Sequence, residues 1–526
     1  MAMTMILSMS MTAFAAEASK GTLTVNNTVA GKTLDLYQIF TATKNGDNVA
    51  YTLNSAYEGF FKNNTRIPGS ESLTGEALSE KAYEYVKTQV GTDGKSGTGF
   101  AKEILGWILE NATTVATTHT TATTTAGSTV ISGLEYGYYV VYPLGATDTS
   151  AAPGEQDYTS VASLVSVTGD TSINMKSNYP TVVKKVNDKN ADDVNIGDTV
   201  TYTLTSKVPD MTGYTSYVFN FKDTLSAGLT FKEITSVKVG ETTITKVDAG
   251  QEADNTYTLT QDGQNITITM NNFLASNKDN TGKEIKVTYT ATLNKDAVTG
   301  FDANKNSATV EYSNKPGTDN KGESEPSIVD VHTFNFTIFK YYLKDETKTG
   351  LANAEFELYK ANEAGDAADT NAKINIVKVK DGEYRQATPE EAAAEGFKSD
   401  VIVSGTDGKV LVKGLDAGTY YLRETKAPEG YNKLLSDIKV EIKANYDETT
   451  GKLTSYSVDY TYNGTTTTGT EIKDTTTSPE VAVENKTGAQ LPSTGSKGAL
   501  MVTLAGIVLF GALTASKAFG KKKANN

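Results

Sequence analysis

The stretch Ile285-Lys-Val-Thr-Tyr-Thr-Ala-Thr-Leu293 alternates apolar side chains with polar or small ones along its whole length. Successive side chains of a β-strand point to opposite faces, so this strand would have one apolar face. The same pattern recurs in Thr199-Val-Thr-Tyr-Thr-Leu204 and in Ile266-Thr-Ile-Thr-Met270, and Gly, Asn and Asp residues lie between such segments. Short alternating strands separated by turn residues are typical of an antiparallel β-sandwich. The pattern therefore predicts a sandwich domain over residues 179–328.

A second unit of the same kind follows after a polar stretch, Lys315–Pro326. Its strands alternate in Ala354-Glu-Phe-Glu-Leu-Tyr359, in Lys409-Val-Leu-Val412 and in Gly418-Thr-Tyr-Tyr-Leu-Arg-Glu424. We expect this second sandwich to span residues 331–487.

The N-terminal unit, residues 17–178, mixes strand patterns with two amphipathic helices, predicted over Ala77–Val90 and Phe100–Asn111. Trp107, the sole tryptophan, lies on the apolar side of the second helix and is interpreted as a core residue. The Thr-rich tract Thr113–Thr125 fits either a strand or a loop. The fold class predicted for the chain is mainly β, with tandem immunoglobulin-like sandwiches.

Composition limits the possible functions. The 526 residues are too many for one core, and the absence of cysteine excludes disulfides as covalent staples. A net charge of −14 argues against nucleic acid as a partner. The two histidines are isolated, so no metal site, cofactor or catalytic centre is predicted, and the chain is not expected to be an enzyme.

Both ends of the sequence predict export. Residues 1–16 have an apolar stretch and a small-residue site at Ala13-Phe14-Ala15, as in a secretory signal peptide. At the other end, Leu491-Pro492-Ser493-Thr494-Gly495 precedes an uncharged run over residues 498–516, and Lys521-Lys522-Lys523 follows. An uncharged run of this length predicts a transmembrane helix, and the lysines would hold the tail in the cytoplasm.

Polar residues on apolar strand faces are the candidate site residues. In the middle unit, alternation points Lys184, Asp223 and Asn314 inward, each from a different strand. In the third unit the same reasoning selects a second trio: Lys340, Glu424 and Asn485. Burying a charged lysine side chain costs free energy, so the inward-facing lysine of each trio requires an explanation.

A Lys, a carboxyl group and an Asn in a dry core can form an isopeptide bond. Burial favours a neutral amine, which can attack the Asn carboxamide while the carboxylic acid relays protons and ammonia leaves. Asp223 and Glu424 would have this catalytic role. The alternative is a buried Lys–carboxylate ion pair beside a hydrogen-bonded Asn.

These motifs resemble those of Gram-positive major (backbone) pilins. Residues Pro180–Lys184, Lys222–Phe231 and Glu311–Asn314 look like the isopeptide-forming middle domain of fimbrial backbone proteins. Phe336–Lys340 and Leu422–Tyr431 are similar to domains of the Cna-B type. The resemblance implies Cna-A/Cna-B type sandwiches with Lys–Asn bonds and predicts no crosslink in the first unit, which lacks the Lys and the acid.

The C-terminal segment, residues 491–526, resembles an LPXTG cell-wall sorting signal. In that family a sortase cuts between the residues matching Thr494 and Gly495 and passes the Thr carbonyl to an amine. The accepting lysine should be exposed: Lys176 is the first candidate and Lys185 the second. Tyr179-Pro180 is followed by Thr, so the Tyr-Pro-Lys-Asn motif of many such pilins is not met.

The resemblance implies a structural shaft subunit of a covalently polymerised pilus, secreted and attached to the cell wall. Its expected partners are a class C pilin sortase, a housekeeping sortase, other copies of itself, minor pilins and peptidoglycan. The alternative function is a singly anchored adhesin that binds a host protein or glycan.

Overall fold

The computed structural model describes residues 19–91, 97–147, 161–175 and 179–487. These residues are mainly β, with several β-sandwich layers, which confirms the predicted fold class. The predicted signal peptide, Lys176 and the segment from Leu491 onward lie outside the described residues. Within the described ranges, no helix has the length and apolar character needed to cross a membrane.

The alternating stretch Ile285–Leu293 forms the centre of the middle unit. Numbered along the whole chain, the elements of this unit are β9 Val183–Val186, β10 Ala191–Asp193, β11 Thr199–Lys207, β12 Phe219–Leu225, β13 Leu229–Val239, β14 Thr242–Thr243, β15 Thr245–Lys246, β16 Thr256–Asp262, β17 Asn265–Met270, α4 Phe273–Asn277, β18 Glu284–Leu293, β19 Asn304–Ser313, β20 Lys321–Glu323 and β21 Ser327–His332. The alternating stretch lies in β18, in a sheet of order β14-β13-β18-β11-β9. This sheet faces a second one of order β10-β21-β19-β12-β17-β16-β15, with β20 attached to β19. The middle sheets run to His332, beyond the predicted boundary at residue 328.

The third unit is also a two-sheet sandwich. Its elements are β22 Phe334–Lys344, β23 Thr347–Gly350, β24 Glu355–Ala361, β25 Ala368–Lys373, β26 Ile376–Lys380, β27 Glu383–Gln386, α5 Pro389–Ala393, β28 Ile402–Val403, β29 Lys409–Leu415, β30 Gly418–Lys426, β31 Ile438–Tyr446, β32 Leu453–Tyr462, β33 Thr465–Thr467 and β34 Glu480–Glu484. One sheet has the order β23-β22-β29-β27-β26 with β34 on β22, and the other has the order β25-β24-β30-β31-β32-β33 with β28 on β24. The last strand, β34, pairs in parallel with the first, β22, placing Val483 opposite Lys340.

The first unit carries the longer helices, which pack on one of its two sheets. Both predicted helices are present, and Trp107 packs against the core beside Tyr57 and Phe60. The Thr-rich tract contains a short strand, β4. The elements are β1 Lys20–Thr28, β2 Thr33–Asn45, β3 Asn48–Leu53, α1 Glu58–Phe61, α2 Gly75–Val90, α3 Thr98–Glu110, β4 His119–Thr123, β5 Gly127–Glu135, β6 Gly137–Pro143, β7 Ser163–Val167 and β8 Thr171–Asn174.

The middle and third units are joined by polar contacts as well as by the chain. The backbone N–H of Ile196 donates to the carbonyl of Gly414 over 3.0 Å. The Tyr446 hydroxyl donates to the Asp193 carboxylate over 2.8 Å. These bonds fix the third unit against the end of the middle one.

Candidate crosslinking sites

The core of the middle unit contains a buried lysine amine. Lys184 lies on β9, the first strand of the unit, and its ammonium donates to Asp223 on β12. Both side chains are fully buried. Burial lowers the pKa of the Lys184 amine from 10.5 to about 8, although the carboxylate opposes this shift. The amine thus lies in surroundings that favour its neutral, nucleophilic form.

A tyrosine hydroxyl connects this amine to a carboxamide. The Tyr289 hydroxyl accepts from the Lys184 amine over 2.8 Å and donates to Asp223 over 2.7 Å. It also accepts from Nδ2 of Asn306 over 2.7 Å. One hydroxyl oxygen therefore contacts the amine, the acid and the amide, using its single proton and both lone pairs.

Asn306, not Asn314, is the asparagine in this cluster. Asn306 is fully buried on β19, and its Oδ1 has no hydrogen-bond partner among the described residues. Asn314 follows the end of that strand, is partly exposed, and packs against Gly145 of the first unit. Alternation identified the correct strand face but selected the wrong position along it. Asn306 lies four residues before Val310 and six before Tyr312, so it points to the same face as they do. The structure corrects the predicted trio at this position.

The third unit brings together all three of its predicted residues. The Lys340 amine lies 3.1 Å from Oε1 of Glu424, and Nδ2 of Asn485 donates to the same oxygen over 3.1 Å. The backbone N–H of Leu434 donates to the other carboxylate oxygen over 2.7 Å. All three predicted side chains are buried, and Asn485 Oδ1 has no partner among the described residues. Burial lowers the pKa of Lys340 from 10.5 to about 8, again against the pull of the carboxylate.

Two contributors were missed from the sequence. Tyr289 lies in the stretch Ile285–Leu293, but alternation predicts it only as one more aromatic residue of the core. The Leu434 backbone amide comes from a loop, and no side-chain pattern could have indicated it. Rings also surround the amines: Lys184 Nζ lies 4.9 Å from the centre of the Tyr202 ring, and Lys340 Nζ lies 5.8 Å from that of Phe356.

The remaining predicted residues are not in these clusters. Lys185 lies on the opposite face of β9 from Lys184, partly exposed, and its amine bonds to Asn190 over 2.5 Å. Lys176 and Leu491-Pro492-Ser493-Thr494-Gly495 are outside the described residues. In the part of the first unit that the structure describes, no lysine is buried.

Family comparisons agree with the two sandwich units. Residues 196–316 match the model of the Gram-positive pilin backbone subunit 2, Cna-B-like domain, and residues 337–456 match that of the SpaA prealbumin-like fold domain. These matches cover strands that carry Lys340, Asp223, Asn306 and Glu424.

Curated relatives and solved structures were also found. The trypsin-resistant surface T6 protein of Streptococcus pyogenes serotype M6 is 26% identical over 56% of this chain and 51% of its own length. The fimbrial subunit type 2 of Actinomyces naeslundii is 30% identical over 48% of each chain. The chain thus spans about half the length of these curated relatives.

Among solved structures, the T6 backbone pilin of S. pyogenes aligns with 90% of this chain and 100% of its own, at 17% identity and a TM-score of 0.47. The major pilin SpaD of Corynebacterium diphtheriae aligns with 79% of this chain and 88% of its own, at 19% identity and a TM-score of 0.39. Two stretches of the chain thus match domain models of Gram-positive pilins, and the chain is similar to the backbone pilins of Gram-positive bacteria.

Proposed function

We propose that this protein is the structural shaft subunit of a covalently polymerised pilus, and that two internal Lys–Asn amide bonds lock its sandwiches. The observation that carries the proposal is the pair of buried clusters, each with an amine beside a carboxyl group and a carboxamide linked to that carboxyl group, directly in the third unit and through Tyr289 in the middle one. The two bonds are Lys184–Asn306 and Lys340–Asn485.

The chemistry in each cluster needs no outside reactant. Transfer of one proton from the lysine to the carboxylate gives a neutral amine and a carboxylic acid without changing the total charge. The amine nitrogen then attacks the Asn side-chain carbon, the C–N bond to Nδ2 breaks, and ammonia leaves with the transferred protons. Positioning in the folded core replaces the binding energy that an enzyme would supply.

The acid acts as proton relay in both sites, but its route differs. In the middle unit the Tyr289 hydroxyl connects Asp223 with the carboxamide nitrogen that must leave. In the third unit Glu424 contacts that nitrogen directly. Asp223 and Glu424 are therefore the catalytic residues of a reaction that occurs once in each site, and the protein is not an enzyme in the usual sense.

Between copies, the proposed bond joins the carbonyl of Thr494 to a lysine of the next subunit. A class C pilin sortase would cleave Thr494–Gly495 and transfer the acyl group to Lys176, with Lys185 as the alternative acceptor. A housekeeping sortase would attach the finished polymer to peptidoglycan, and minor pilins would complete the fibre. This places the protein at the cell surface as a fimbrial component.

Two measurements test the proposal. The intact mass of the folded chain 19–487 should be about 34 Da below the sequence mass, since each bond releases one ammonia of about 17 Da. Cell-wall extracts boiled in detergent should give a ladder of high-mass species that react with antibody to the protein. An unchanged mass would refute both internal bonds, and a single band in place of the ladder would favour the singly anchored adhesin.

A further inference from the structure

One loop of the third unit holds an apolar side chain in solvent beside the point where the chain leaves the sandwich. Leu435 is 95% exposed, the highest value among the exposed large hydrophobic residues that the structure describes. Exposed single leucines are common and by themselves mean little. The exposure of Leu435 matters because its loop is held by hydrogen bonds and lies where the chain leaves the sandwich.

The loop is anchored on both sides of Leu435. The preceding residue, Leu434, donates its backbone N–H to Glu424 in the buried cluster, over 2.7 Å. The following residue, Ser436, donates its hydroxyl to Asn463 over 3.1 Å. The loop is therefore held by a hydrogen bond on each side of Leu435, one of them to the candidate catalytic carboxylate.

The same loop adjoins the exit of the chain. The backbone N–H of Asn432 donates to the carbonyl of Lys486 over 3.0 Å, and Tyr431 bridges to Thr487. Thr494 follows Thr487 by seven residue steps, which span at most about 25 Å when fully extended. Whatever surface receives the Thr494 acyl group must therefore lie within about 25 Å of Thr487, on the side of the unit that carries this loop.

The middle unit presents a matching surface at its first strand. Val183 and Ile328 are 52% and 53% exposed, and their strands are joined where the Lys184 N–H donates to Ser327 over 2.9 Å. Val183 shares the outward face of β9 with Lys185. Lys176, the other candidate acceptor, precedes this strand by a few residues.

Charges of opposite sign lie near Leu435 and near Ile328. Lys433 and Lys486 are exposed beside Leu435, and Glu325 is exposed three residues before Ile328. Within the described part of the chain, none of these three charges has an ion-pair partner. The lysines beside Leu435 would therefore meet Glu325 beside Ile328, while Lys185 on the Val183 face is hydrogen-bonded to Asn190.

We infer that Leu435 of one subunit docks on Val183 and Ile328 of the next copy, forming a non-covalent contact that aligns the two subunits for the amide bond. The contact joins different surfaces of identical chains, so it propagates as a filament and does not close into a dimer. This inference rests on the proposed polymerisation.

Cysteine pairing tests the contact directly, because the natural chain has no cysteine. The double variant Leu435→Cys with Ile328→Cys should expose two reactive thiols in the monomer. After sortase polymerisation and treatment with diamide, which takes up the two thiol hydrogens, these thiols should become unreactive as an intersubunit disulfide forms. A matched variant with Val130→Cys in place of Leu435→Cys should keep its thiols in the polymer. Thiols of the 435/328 pair that stay reactive in the polymer would overturn the proposal.

A charge-pair experiment separates the contact from the proposed function. Leu435→Glu should slow growth of the ladder about tenfold with an unchanged melting temperature, and adding Ile328→Arg should restore most of the rate. Arginine is used because it adds no new acceptor amine. If the natural chain forms a ladder and Leu435→Glu forms it equally fast, the docking contact is refuted while the pilus function stands. If the natural chain forms no ladder, the proposed function itself fails.

Discussion

The middle and third units bury the same chemical groups but connect them differently. In the middle unit Tyr289 stands between the amine, the acid and Asn306, which lies within a strand. In the third unit Glu424 contacts both partners itself, and Asn485 lies just after the last strand. Glutamate has one more methylene than aspartate, so its carboxyl group reaches across the core where Asp223 uses a hydroxyl relay. The comparison indicates that the proposed bond could form with the asparagine at either of two strand positions.

The largest expected effect is complete loss of one bond when its acid is removed. Asp223→Ala should abolish the Lys184–Asn306 bond, and Glu424→Ala the Lys340–Asn485 bond, because neither amine then has a proton acceptor. Corrected for the substitution, each intact mass should rise by about 17 Da relative to the parent. Each variant serves as the control for the other; loss of both bonds in either variant would show that the sites are not independent.

The choice of asparagine gives an equally sharp test confined to the middle unit. Asn306→Ala should prevent the bond, whereas Asn314→Ala should leave it intact. Treating the bond like another covalent loop closure, its loss should lower the free energy of unfolding by about 5 kcal/mol. Tandem mass spectrometry of tryptic peptides would identify the linked residues, and a crosslink recovered at Asn314 would restore the original prediction.

Removal of the Tyr289 hydroxyl should have a smaller effect, limited to rate. Tyr289→Phe keeps the ring but deletes the relay, so formation of the middle bond should slow by about 10²-fold while the third unit is unaffected. The time course of mass loss after refolding would measure both rates in one sample. Equal slowing at Lys340–Asn485 would indicate a general folding defect.

The smallest effect concerns pH. In an Asn485→Ala chain Lys340 stays a free amine, with a pKa lowered by burial to about 8 in the folded state against 10.5 unfolded. Between these values the unfolded chain binds more protons, so stability should rise as pH increases from 8 to 10, by about 2 kcal/mol. Denaturant unfolding would measure this rise, and an added Lys340→Met should remove it. An identical slope with methionine would assign the effect to other groups.

Much of this architecture follows from alternation. Strand faces in Ile285–Leu293 and around Lys340 were predicted because period-two patterns are strong where one face is buried. The pattern determines which face of the strand a side chain is on. It does not determine the register, that is, which residue of a neighbouring strand lies opposite it. Asn306 and Asn314 both satisfy the alternation. In the structure Asp223 pairs opposite Ala308, which is two residues from Asn306 and six from Asn314, so Asn306 is the one near the acid. Tyr289 and the Leu434 amide depend on packing between distant segments, which one strand's pattern does not contain.

The positions of the two proposed bonds determine how a pulled fibre would lengthen. A load that enters near Lys185 and leaves through residue 487 would cross from Lys184 to Asn306 and from Lys340 to Asn485, so residues 185–305 and 341–484 would contribute no contour length. The stretch from Asn306 to Lys340 would remain in the loaded path. It is held by the pairing of β21 with β19 and β10, by that of β22 with β29 and β34, and by the Gly300–Thr333 backbone bond. Extensibility of the shaft would therefore reside in this stretch, which runs from β19 and β21 of the middle sandwich into β22 of the third, while the segments enclosed by the two bonds would not lengthen.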